Sequence, residues 1–389
     1  MDSFVYHAPT RIVFGKDTVD RTGTELAAYA VKHVLLVTGG SSAKRTGAYD
    51  RVLASLKEAG IGHTPFEGVT PNPSLELVES GIDAARACKA KGVLAIGGGS
   101  VIDCAKAIAA GVYLDDYWAV VETRKPVTQA LPVFTVLTLS GTGSEMNERA
   151  IITNEPLAKK WSLNGLCLCP KVSIIDPQLQ AGLPWRLTAS GGIDAMTHVM
   201  EYYFRGRLAD AQTGYFHEET TLQICEGLLR SLILSLDELQ KDGANYSARA
   251  NLAWAACWGL NGLSGSGLSG GDWTSHALEH AVSGMYPAVP HGEGLAVLFP
   301  SWMEEVYDKV PDIFTRFARN VWGVDSPQQG LEATRAAFAR WGAPQRLSHW
   351  NIPESAIPDM VKNAFAYRAL GRLTPLSYDD VMRIFMRVL

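Results

Sequence analysis

The chain has 389 residues, with 35 Lys and Arg against 40 Asp and Glu, a formal net charge of −5, and 47% hydrophobic residues. That length suggests two or three domains or one large α/β unit, and the apolar fraction suffices for sizeable cores, which excludes disorder. A slightly acidic balance with no Lys/Arg-rich run points away from nucleic acid and from anionic membranes as partners.

Lys32 to Val37 reads as a buried strand, and Tyr49 to Ala59 as a helix with apolar spacing at Val52, Leu53 and Leu56. A second helix is predicted from Ser74 to about Lys89, then a short strand from Gly92 to Ile96 and a helix from Val101 to Ala110. Asp115 to Gln129 is polar and contains proline, and Leu131–Leu137 and Lys171–Ile175 read as further strands. Such alternation is the signature of a parallel, doubly wound sheet. From about Pro184 the periodicity turns helical: Leu187–Phe204, Thr213–Leu239, Ser247–Leu263, Ala277–Met285 and Leu295–Tyr307, with no convincing strand. The expected fold class is α/β: a Rossmann-like parallel-sheet domain over 1–180, followed by an all-helical domain over 181–389. A crevice between two such halves is the usual place for a ligand site.

Met1-Asp2-Ser3-Phe4 shows neither the basic nor the apolar stretch of a secretory signal. No apolar run approaches the roughly 18 residues that suggest a membrane span, so the expected location is cytoplasmic. Cys88, Cys104, Cys167, Cys169, Cys225 and Cys257 form no C-x-x-C pair. Cys167 and Cys169 are too close for an ordinary disulfide and would face opposite sides of a strand, so free thiols are expected.

Glycine is enriched, at 37 residues, against roughly 7% in average usage. Gly97-Gly98-Gly99-Ser100 follows a predicted strand and precedes a predicted helix, where unpaired N–H groups and the helix dipole favour a diphosphate. The plain alternative is a strand-to-helix turn, but three glycines exceed what a turn needs. Gly39-Gly40-Ser41 ends the first clear strand in the same way, where the adenosine ribose of a dinucleotide would lie. No acidic residue stands in that turn to favour NAD, and Lys44 and Arg45 nearby favour the 2′-phosphate of NADP, with NAD left open. Gly265-Ser266-Gly267-Leu268-Ser269-Gly270 is a literal G-x-G-x-x-G overlapping a literal G-x-S-x-G. A helix precedes it rather than a strand, so it is read as a flexible loop between helices.

Histidines cluster in the helical half. Asp194 and His198 stand four apart, as do His276 and His280, and His291 follows eleven residues after His280. Pairs at i,i+4 share a helix face, and such N/O donors suit Zn²⁺ or Fe²⁺. Each pair alone is equally a surface or structural pair; their combination opposite a nucleotide-type turn is more specific.

Taken together, Gly97 to Asp103, Leu139-Ser-Gly-Thr-Gly-Ser-Glu-Met-Asn147, Val172-Ser-Ile-Ile-Asp-Pro177, the Asp194/His198 segment and Gly271 through Gly292 resemble the iron-containing (group III) alcohol dehydrogenase family. The likeness spans essentially the whole chain and is strongest to the butanol dehydrogenase and broad-specificity aldehyde reductase branch. It implies the dehydroquinate synthase-like architecture and a metal held by Asp194, His198, His276 and His291. It sets His280 beside the nicotinamide and substrate rather than on the metal. Gly97, Gly98, Gly99 and Ser100 match the diphosphate loop; Thr138 and Thr142 match residues lining the cofactor, and Lys160 one contacting its ribose or phosphate region. Asp103 and Asn147 match positions close to the nicotinamide and substrate. Gly39 sits where NAD-preferring relatives often carry an acid.

The implied chemistry is hydride transfer between NAD(P)(H) and a primary alcohol or aldehyde, with the metal stabilising an alkoxide. His280 is the candidate proton relay, or else only shapes the pocket. Trp161, Trp273 and Met146 are candidates for an apolar wall suited to medium-chain substrates. A glycerol or polyol dehydrogenase of the same architecture would use zinc and a more polar pocket. A dehydroquinate-synthase-like lyase would need a basic pocket, and the helical half shows no Lys/Arg cluster near the ligands. A catalytically dead binding module would have lost a ligand, and none is missing. Relatives commonly dimerise through the N-terminal strand region, which here fits Phe4 to Phe14.

Overall fold

The computed structural model describes residues 1–208 and 212–389. Six parallel strands form its sheet: β1 (Arg11–Phe14), β2 (His33–Thr38), β3 (Gly62–Phe66), β4 (Gly92–Gly97), β5 (Val133–Leu137) and β8 (Val172–Ile175). Two further strands, β6 (Arg149–Asn154) and β7 (Lys159–Asn164), pair antiparallel as a separate hairpin. The order β1-β8-β5-β4-β2-β3 means that the chain leaves β2 toward one edge and returns on its other side. That reversal opens a crevice beyond the carboxyl ends of β2 and β4.

Both faces of this sheet are covered, and its strands therefore read as continuous apolar runs. Val34, Leu36, Leu94 and Ile96 join one core with the Ala48–Glu58 helix, through Val52 and Leu56. Leu35, Val37, Val93 and Ala95 join the opposite core with the Gly99–Gly111 helix. Alternation of side chains along each strand produces this division. The helical half has one core of its own, running from Ala189 to Val388.

Five features depart from the sequence reading. The sequence reading contains neither β3 nor the β6–β7 hairpin, and the polar, proline-containing stretch over Asp115–Gln129 holds a helix, Tyr117–Thr123. Cys167 and Cys169 lie at a short 3₁₀ turn, Leu166–Leu168, rather than on a strand, while all six cysteines are free. The loop around Gly267 is pinned, not loose: Thr221 Oγ1 donates to the Ser266 carbonyl at 2.7 Å, and Asp2 N to that of Gly267 at 3.0 Å. Among the described residues, no helix is long and apolar enough to cross a membrane.

Candidate active site

The glycine-rich turn at the end of β4 becomes the first turn of the Gly99–Gly111 helix, with Gly98 at its N-cap. A Cβ at residue 99 would overlap the Thr142 side chain, so only glycine lets this turn lie against the loop that follows β5. Thr138 N bonds the Gly97 carbonyl at 3.0 Å and fixes the two turns together. The result is a cradle of bare backbone over uncapped N–H groups, which fits a diphosphate.

Beside the Gly39-Gly40-Ser41 turn, an acid does arrive, from a segment the spacing did not connect with it. Glu67 holds Lys44 with both carboxylate oxygens 2.9 Å from the ammonium. Arg45 is hydrogen-bonded to Ser41 Oγ at 2.9 Å. Lys44 is thus committed to an ion pair, which weakens the sequence argument for a 2′-phosphate.

Across the crevice, the Trp185–Tyr203 helix supplies Asp194 and His198, the Thr274–Met285 helix supplies His276, and His291 opens the His291–Val306 helix. Asp194 Oδ1 lies 3.6 Å from Nε2 of both His198 and His291. The His198 and His276 rings stack at 4.7 Å. Asp194, His198 and His276 bring ligand atoms within 4.8 Å of one another. Asp194 Oδ1 and His276 Nε2 are buried and have no hydrogen-bond partner. Burial pushes the Asp194 carboxyl up to about 8, and Glu279 adds to the rise. Burial also pulls His276 down to about 3, and His198 and His291 well below their ordinary value. Neutral imidazoles with free lone pairs, around a buried carboxylate that lacks a countercharge, are the donor set a divalent cation fits.

Two carboxylates missed in the sequence orient this set. Glu201 Oε1 accepts from His276 Nδ1 at 2.9 Å, leaving Nε2 turned inward. Glu279 holds His291 Nδ1 in the same manner. Glu279, His280 and His291 form a second cluster of possible donors, but the Lys160 ammonium stands 3.3 Å from both Glu279 Oε2 and His291 Nδ1. A cation already holds that place. Lys160 also donates to Ser283 at 3.1 Å, so its head serves the supports of the ligand set.

One cleft receives residues of both halves. Of the predicted residues, Ser100, Asp103, Thr142, Asn147, Lys160, His198, His276, His280 and His291 line it, while Gly39 to Ser41, Gly97 to Gly99, Thr138 and Asp194 do not. Asp103 and Asn147 are engaged within the protein. Asp103 accepts from Ser144 Oγ at 2.5 Å and Ile151 N at 3.2 Å. Lys106, fully buried and drawn down to about 8 by that burial, donates to Ser144 Oγ and Asn147 Oδ1 at 2.9 and 3.1 Å. Of the three candidates for an apolar wall, Trp273 alone lines the cleft; Trp161 stacks on Trp118 at 5.8 Å instead. The helical half brings one cation, Arg368, to the cleft, but the sheet half adds two. Arg149, Lys160 and Arg368 all reach the cleft, from the hairpin and from a distant C-terminal segment.

The match to known proteins follows this geometry. A model described as "Iron-containing alcohol dehydrogenase" covers residues 9–177, and the C-terminal model of the Fe-containing alcohol dehydrogenase family covers 188–389. The chain belongs to the iron-containing alcohol dehydrogenase family. It is 38% identical over 398 residues to NADH-dependent butanol dehydrogenase A of Clostridium acetobutylicum, covering 100% of both chains. It is 34% identical to the NADPH-dependent aldehyde reductase YqhD of Escherichia coli, covering 99% of each. The crystal structure of NADH-dependent butanol dehydrogenase A from Thermotoga maritima superposes with a TM-score of 0.95 at 39% identity, over 100% of this chain and 99% of that one. The chain is accordingly an NAD(P)-dependent alcohol dehydrogenase of this family, and the polyol reading finds less support.

Proposed function

We propose that the chain acts as an aldehyde reductase with one divalent metal, iron, held by Asp194, His198, His276 and His291. The observation that carries this is the convergence of those four groups, three of them buried, beside the cleft that also receives the Ser100 turn. A cation held there supplies Lewis acidity toward an alcohol or aldehyde oxygen. The Gly97–Ser100 turn, with Thr142 against it, would hold the cofactor diphosphate, and Asn147 and the imidazoles line the same cleft, where the nicotinamide would supply or accept hydride. His280 lines both the cleft and a smaller chamber with Lys160 and Tyr367, and burial holds it neutral. It is placed to pass a proton outward.

NADPH is the favoured donor, because Gly39 and Gly40 present no side chain that would repel a 2′-phosphate. Glu67 beside that turn, and the NADH named for the butanol dehydrogenase relatives, support NADH as the second reading. Purified protein should carry close to one divalent ion per chain by elemental analysis, and His276→Ala should lose it along with turnover. Wild type that is active when metal-free would overturn the mechanism. Parallel assays with NADPH and NADH decide between the donors.

A further inference from the structure

Arg149 and Arg368 are the cleft residues that neither the metal nor the dinucleotide accounts for. Arg149 opens β6 and lays its guanidinium 5.4 Å from the Trp273 ring. Trp273 in turn meets the His276 ring at 5.1 Å, so Arg149 stands one indole's breadth from the ligand set. Arg368 follows the Ile357–Tyr367 helix and lies 4.9 Å over Tyr367, with Nε buried and unpartnered. Among the described residues, neither guanidinium has a carboxylate within ion-pair distance. Arg316, by contrast, is paired with both Glu219 and Glu226. Burial lowers Arg368 from its ordinary value, and the charge of Arg149 lowers it further. The carboxylates facing the pair, Glu201 and Asp272, are occupied elsewhere: Glu201 with Trp273 and His276, Asp272 with Thr274 N and Leu373 N.

Two like charges kept close together, half-buried and without partners, are costly unless an anion is bound between them. Guanidinium forks match a planar carboxylate in bidentate geometry. The adenosine 2′-phosphate would lie at the opposite end of the dinucleotide, by the Gly39 turn, and cannot serve them. We propose that Arg149 and Arg368 bind a carboxylate at the far end of the substrate, so that this enzyme prefers short oxo-acids carrying a terminal aldehyde, and the matching hydroxy-acids, over neutral aldehydes. This rests on the reductase reading. The reaction balances as hydride from NAD(P)H to the aldehyde carbon and one proton to its oxygen, giving the hydroxy-acid and NAD(P)⁺, with the carboxylate untouched.

The test compares 4-oxobutanoate with pentanal, using metal-loaded protein and saturating NADPH or NADH. Wild type should favour 4-oxobutanoate in kcat/KM. Arg149→Gln, and separately Arg368→Gln, should cut that ratio by roughly 10- to 100-fold, the range for a hydrogen bond to a charged group. Arg149→Lys should restore only part of it. Calorimetric titration of wild type with 4-hydroxybutanoate and with 1,4-butanediol reads binding without turnover and needs no variant; the acid should bind tighter. Reduction of pentanal without any preference for the acid overturns the inference and leaves the reductase reading standing. Tighter binding of the acid without turnover of either aldehyde supports the anion site and sinks the reductase reading. A rise in cofactor KM in Arg149→Gln, with both aldehydes slowed equally, would assign the arginine to the cofactor instead. Stronger competition by a phosphate monoester than by a carboxylate would overturn the choice of anion.

Discussion

Glu201 lies seven residues beyond Asp194 on the same helix face and takes three N–H donors from one neighbouring segment: the amides of Trp273 and His276, and His276 Nδ1. It therefore caps the Thr274–Met285 helix and sets the tautomer of a proposed metal ligand at once. Burial pushes its carboxyl up, and these donors work against that rise. The same bonds hold Trp273 at φ 63°, a left-handed conformation that costs a bulky residue about 1–3 kcal/mol. In Glu201→Gln an amide NH₂ would face one of these donors, and metal affinity should fall by about 10- to 100-fold, measured by competition with a chelator. Unchanged affinity would show that the imidazole is aimed by something else. This carboxylate was legible in principle: residues 194, 198 and 201 follow i, i+4, i+7, and Glu279 stands at i+3 from His276. Arg149 and Arg368 carried no such signal, because their proximity is created only by tertiary folding.

The three ligand-bearing helices meet at seams too narrow for side chains. A Cβ at residue 292 would run into the Ser190 carbonyl, so Gly292 lets the helix begun by His291 lie directly on the one that carries Asp194. Gly292→Ala should push these helices apart, with a loss of about 1–3 kcal/mol in denaturant unfolding, the usual range for overpacking, and with reduced metal content. Full stability with full metal loading would mean that the seam can relax. At this scale the sequence was most readable where periodicity and burial agree: β2, β4, β5 and the helices around them. β3 escaped because Gly62-His-Thr-Pro-Phe66 is a polar, half-exposed edge strand that tolerates proline. The β6–β7 hairpin escaped because its turn, Glu155-Pro-Leu-Ala158, lacks the usual Asn-Gly type of signal and relies on Ala158 at φ 51°.

Across the whole molecule, β1 leaves one edge of the sheet unpaired. Ile12, Phe14 and Trp254 line an apolar depression there, and Val5 on the adjoining arm is 95% exposed. An open edge next to an apolar patch suits a second copy of the chain, and we propose a homodimer through it. Trp254→Glu should halve the mass seen by analytical ultracentrifugation; a monomeric wild type would dismiss the dimer. The partition of the site has a different consequence. Each of the four proposed ligand residues lies on a helix of the C-terminal half, and the Gly39 and Gly97 turns both end strands of the sheet. On the proposed assignment, ion capture would need only one half of the chain, whereas the gap a hydride must cross would depend on how that half packs against the sheet. A slip of about 1 Å where the loop after β5 meets the Asp194 helix would slow transfer on the order of a hundredfold, and elemental analysis would register nothing.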